Sequence, residues 1–188
     1  HLTEKARSQF SAVASVNMAM THLESARSLS QQLEIALKAV DLLDQIPGSS
    51  QLDRLSDNSM HASTQLAELR MLLMQFFEKA IPDGRQHRFR LPCGEVDAEL
   101  IEQGRSMERI YTGIIQALEL WQSDLERAMT GADLSQRTVL ENWIPNLGGL
   151  IARLDQARRL WELFTREEPV DLPPRARWID YSEDDLVV

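Results

Sequence analysis

Between Asp97 and about Met129, apolar and small residues fall at Leu100, Gly104, Met107, Tyr111, Ile114, Leu118, Trp121 and Leu125, in steps of four and three. That spacing lays one stripe along an α-helix. At 1.5 Å per residue such a helix would be roughly 45 to 50 Å long, which suits an elongated bundle better than a compact ball. It needs partners, because a lone amphipathic helix is marginal in water. Three further stripes supply them. Ala26, Leu29, Leu33, Leu37, Val40 and Leu43 predict a helix from about Asn17 to Asp44, ended by Pro47-Gly48. Ala62, Leu66, Leu69, Leu73, Phe76 and Ala80 predict another from near Ser50 to about Ile81, stopped by Pro82-Asp83-Gly84. After the turn GADLS, Asp133 or Ser135 can cap a helix to about Thr165 that carries Leu140, Trp143, Leu147, Leu150, Leu154, Ala157, Trp161 and Phe164. Pro145 and Gly148-Gly149 break its regularity and predict a kink or interruption near Pro145.

The remaining stretches read differently. Thr3 can cap a short helix to about Gln9, and SAVASV after it reads as extended. RQHRFRLP alternates, with His87, Phe89 and Leu91 on one face and Arg88 and Arg90 on the other, so an extended segment is expected near 86–91. Three prolines in EEPVDLPPRARW forbid a continuing helix, and WIDY and DLVV read as two strand pieces around the acidic turn SEDD. The expected architecture is mostly α: a single elongated four-helix-bundle-like domain over 1–188, with short extended segments near 86–91 and at the C-terminal end.

Composition sharpens this picture only in places. A chain of 188 residues with 43% hydrophobic residues can bury one real core. The net charge of -9 argues against a free-standing nucleic-acid binder, since phosphate neutralisation needs clustered cations. Of the basic residues only Lys5, Lys38 and Lys79 are lysine, a bias towards planar, bidentate donors. The single Cys93 excludes an intramolecular disulfide and is compatible with a reducing cytosol. No apolar run reaches 18 residues and no signal-peptide pattern is visible, so no membrane partner is expected and the expected location is cytoplasmic.

Catalytic chemistry finds no constellation. None of His1, His22, His61 and His87 follows a Glu by three residues, as a di-iron bundle requires, and they are too scattered for a zinc pair. There is no Walker loop, dinucleotide-binding glycine motif or nucleophile elbow. Cys93 beside Pro92 and Gly94 reads as a loop residue rather than a reactive thiol, and Glu183-Asp184-Asp185 as a solvated turn rather than a cation site. One patch has a binding composition: Arg85, His87, Arg88 and Arg90 around Phe89. Guanidinium groups beside an aromatic ring can grip single-stranded nucleic acid through phosphate contacts and base stacking. The alternative is that Phe89 points into the bundle while Arg88 and Arg90 face water or nearby carboxylates. Arg153, Arg158, Arg159 and Arg166 are open to the same two readings.

Several stretches resemble one family. His1-Leu2 followed by Ala6-Arg7 resembles the run directly after the D-E-x-H box of DinG-type helicases, in the XPD-like superfamily 2 group. QHRFRLPCGEVDAELIEQGRSM resembles the inserted helical domain of those proteins. RRLWELF from Arg158 to Phe164, then Arg177-Trp178 and two strand pieces, resembles the return to the first motor domain ahead of an S-A-T motif. The resemblance implies the arch domain of a bacterial ATP-dependent 5′ to 3′ DNA helicase, excised from a larger chain, with the motor domains of the same parent and single-stranded DNA as partners. It implies ATP with Mg and an iron-sulfur cluster for the parent, and none in this segment, which lacks the Walker lysine and the cluster cysteines. Arg85, Arg88 and Arg90 would then line or approach the opening through which DNA passes. The rival reading is a stand-alone helical interaction module, an adaptor or scaffold with a partner-sized apolar patch on one face.

Overall fold

The computed structural model describes residues 16–47, 51–80, 88–167, 176–181 and 186–187. Four long helices dominate: α1 (Val16–Ala39), α2 (Gln51–Ala80), α3 (Ala98–Ala128) and α4 (Leu134–Thr165). Three short strands, β1 (Arg88–Arg90), β2 (Trp178–Tyr181) and β3 (Leu186–Val187), form one antiparallel sheet in the order β1-β2-β3. Each helix packs on the next along the chain, and α4 closes against α1. Gln136 at the start of α4 donates from Nε2 to the Val40 carbonyl just beyond α1, at 3.2 Å. Arg105 near the start of α3 pairs with Glu167 just past α4, at 2.9 Å. Neighbouring helices are therefore antiparallel, and the bundle runs up-down-up-down.

The core is the set of stripes turned inward. All eight α3 positions from Leu100 to Leu125 are buried, joined by Ile115. α1 contributes Ala19, Leu23, Ala26, Ser30, Leu33 and Leu37, and α2 contributes Leu55, Ser59, Ala62, Leu66, Leu69, Leu73 and Phe77. From α4 come Leu140, Leu147, Leu150, Leu154, Ala157, Trp161, Phe164 and Thr165. Leu29, Val40, Leu43, Phe76 and Trp143 sit at the margin of the core, partly buried against it. Gly104 lets α3 pack closely on α4, because a Cβ there would overlap Thr165 Cγ2.

Two expectations about helix ends need correction. α1 stops at Ala39, well before Pro47-Gly48. Asp41 adopts a left-handed conformation (φ 52°), its N–H donates to the Lys38 carbonyl at 3.2 Å, and the Leu42 N–H reaches back to the Leu37 carbonyl at 3.0 Å. This is a Schellman ending with aspartate in place of the usual glycine, and both Leu37 and Leu42 are buried beside it. Of the kink or interruption expected near Pro145, the interruption is absent: α4 runs through it as one helix. Buried Leu140, Leu147 and Leu150 on either side hold the helix to the core across the missing N–H. At the other helix starts, Asp97 accepts from the Glu99 N–H at 2.9 Å. Asp133, rather than Ser135, caps α4 in a capping box with Gln136. The short helix expected over Thr3 to Gln9, and all of SAVASV except Val16, lie outside the described residues.

Candidate nucleic-acid interface

Alternation decides what β1 can offer. Arg88 and Arg90 are exposed, while Phe89 between them is half-buried and meets Phe76 of α2 edge-on, with ring centroids 5.6 Å apart. Leu91 is buried directly after the strand. This contact seats the sheet at the end of the bundle where α2 finishes and, because the helices are antiparallel, where α1 starts. Arg88 is paired across the sheet with Asp180, Phe89 with Ile179 and Arg90 with Trp178. Cross-strand partners share a face, so the outer face carries Arg88, Arg90, Trp178 and Asp180. Phe89 and the fully buried Ile179 form the inner one.

On that outer face Arg88 is engaged. Its Nε and Nη2 each donate to one Asp180 carboxylate oxygen at 2.6 Å, a bidentate pair across the two strands. The guanidinium also lies over the Trp178 ring, 5.5 Å from its centroid. The hydrogen bonds to Asp180, and then its charge, push the Arg88 pKa upward. Arg90 is exposed, with no ion pair among the described residues. Arg85 and His87 lie outside the described residues, so of the four expected contact residues the structure brings Arg88 and Arg90 to one face. Sequence reasoning did not include Trp178 and Asp180 in the site. Alternation within WIDY was the available signal, since it puts those two residues on one side of a strand.

Of Arg153, Arg158, Arg159 and Arg166, two are ion-paired among the described residues. Arg158 donates to Asp155 at 2.9 Å and to Glu162 at 3.3 Å, and Arg159 pairs with Asp155 at 2.9 Å. Cys93 is exposed, and Glu183, Asp184 and Asp185 lie outside the described residues. Among the described residues no group of three or more His, Cys, Asp or Glu side chains could hold a metal ion. No described helix is long and apolar enough to cross a membrane. Among the described residues, the exposed large apolar side chains are divided among all four helices: Met18 and Ile35, Met60 and Met71, Leu120, Leu134 and Leu163. No protein-family model matches the chain, and a search of curated proteins finds no match to it.

Proposed function

We propose that this chain is an accessory helical domain of a DinG-type, ATP-dependent 5′ to 3′ DNA helicase, bridging the motor domains and helping to guide single-stranded DNA. The observation that carries this reading is the one-ended layout of the bundle. The start of α1, residues 88–97 ahead of α3 and all three strands lie at the same end, as an inserted domain would have them if it projects from a motor. Of the stretches that resemble the family, the described part of QHRFRLPCGEVDAELIEQGRSM, the RRLWELF run and Arg177-Trp178 lie at that end or run into it. Nucleotide and cluster chemistry would belong to the rest of the parent.

The outer face of the sheet is the part that would meet DNA. Arg90 supplies an uncompensated cation for a phosphate, and Trp178 with the Arg88 guanidinium supplies flat surface for a base. Asp180 cancels most of the charge of Arg88, so Arg90 carries the electrostatic share. In the parent helicase, Arg90→Ala should make the fall of binding with salt shallower, by about 0.7 in the log–log slope for one lost single-strand phosphate contact. An unchanged slope, with unchanged unwinding, would remove DNA from this face.

A further inference from the structure

Arg177, just before β2, sits where three segments meet. Its Nη1 donates to the Gly94 carbonyl at 2.7 Å, and Nη2 donates to the carbonyls of Arg166 and, at 3.4 Å, Leu163. Its own carbonyl accepts from the Leu91 N–H at 2.9 Å. The carbonyls of the last helical turn have no intrahelical donor, and α4 has no basic residue in that turn. Arg177 therefore caps α4 from outside the helix and places a cation at the negative end of its dipole.

On its other side the guanidinium holds a strained turn. In Pro92–Gly94, Cys93 has φ 52° and Gly94 has φ 70°, two left-handed residues in succession. The first is costly for a residue with a Cβ. Such strain persists only where the surroundings enforce it: the Gly94 and Glu95 N–H groups close the turn on the Leu91 and Pro92 carbonyls at 3.0 and 2.9 Å, and the donation to the Gly94 carbonyl ties it to the C-terminal part of the chain.

We propose that Arg177 is a latch. It ties the end of α4, the Pro92–Gly94 turn and the β1–β2 pair into one unit, and its release lets these three open together while the four helices stay packed. β1 carries Arg88 and Arg90, and β2 carries Trp178 and Asp180. The latch therefore sets where that face stands relative to the bundle, whatever the face binds.

Amide hydrogen exchange of the full chain, wild type against Arg177→Ala and Arg177→Lys, tests this. In Arg177→Ala, the amides of Leu91, Gly94, Glu95 and β1–β2 should exchange about ten- to a hundredfold faster, by a common factor, as expected for losing charge-assisted hydrogen bonds. Amides in the middle of α3, such as Ile114 and Leu118, should be unchanged, and Arg177→Lys should fall between. Adding Cys93→Gly to Arg177→Ala should restore part of the protection, because glycine holds the left-handed turn without the latch. Three results would overturn the proposal: no acceleration, an equal acceleration of the α3 centre, or no rescue by the glycine.

Discussion

Gly104 offers the sharpest test of how the bundle is packed. A methyl group added there meets Thr165 Cγ2 inside van der Waals contact, with the Trp161 and Phe164 rings 3.7 and 3.8 Å away. Thr165 has little freedom to move aside. It is buried, its χ1 is restricted by β-branching, and its hydroxyl donates to the Trp161 carbonyl at 2.9 Å. Alanine in place of a mid-helix glycine would ordinarily stabilise by about 1 kcal/mol. Overpacking a tight core costs roughly 1 to 3 kcal/mol, so Gly104→Ala should destabilise by about 0 to 2 kcal/mol net. Thr165→Ser removes the obstructing methyl, keeps the hydroxyl, and alone should cost about 1 kcal/mol. In the double variant the new methyl occupies the space of the old one. The pair should therefore be coupled by about 1 to 2 kcal/mol, with the double variant more stable than the sum of the singles predicts. Urea denaturation with a constant m-value measures all four corners of the cycle. Additivity within about 0.5 kcal/mol, or a Gly104→Ala variant more stable than wild type, would refute the close approach of α3 and α4.

Other outcomes follow from the same core. Trp121→Ala should cost about 3 to 5 kcal/mol in a denaturant melt, as deletions of buried large aromatics do; a loss near zero would contradict its burial. Burial pushes the Tyr111 hydroxyl well above the usual phenol range. The unfolded chain loses that proton near pH 10 while the folded one keeps it, so stability should fall as pH rises above about 10. Tyr111→Phe should flatten that fall. Because the hydroxyl has no hydrogen-bond partner among the described residues, the variant should be as stable as wild type at pH 7 or gain about 1 kcal/mol. Asp133→Ala should remove the capping box of α4 and cost about 1 kcal/mol, read from the shift in melting midpoint.

The helices were legible because burial in a bundle follows the 3.6-residue period, and the stripe from Leu100 to Leu125 is regular enough that no other element fits it. What failed was local chemistry overruled by geometry. Asp41 ends α1 in a role that composition assigns to glycine, so Pro47-Gly48 drew attention to the wrong turn. Pro145 read as a kink or interruption because its local cost is large, yet the helix continues through it, with buried leucines on both sides. In the candidate interface, the alternation of β1 was visible in RFR, with Phe89 inward and the two arginines outward. The Arg88–Asp180 pair spans 92 residues, and the Arg177 contact to Gly94 spans 83. Neither partner can be read from sequence before the register of β1 on β2 is known.

The proposed place of this bundle in a helicase is tested by reading the coding frame on both sides of His1 and Val188. A Walker loop and a D-E-x-H box upstream and an S-A-T motif downstream, in one open frame, are the expected result. A stop codon directly after Val188, with no motor motifs on either side, would contradict it.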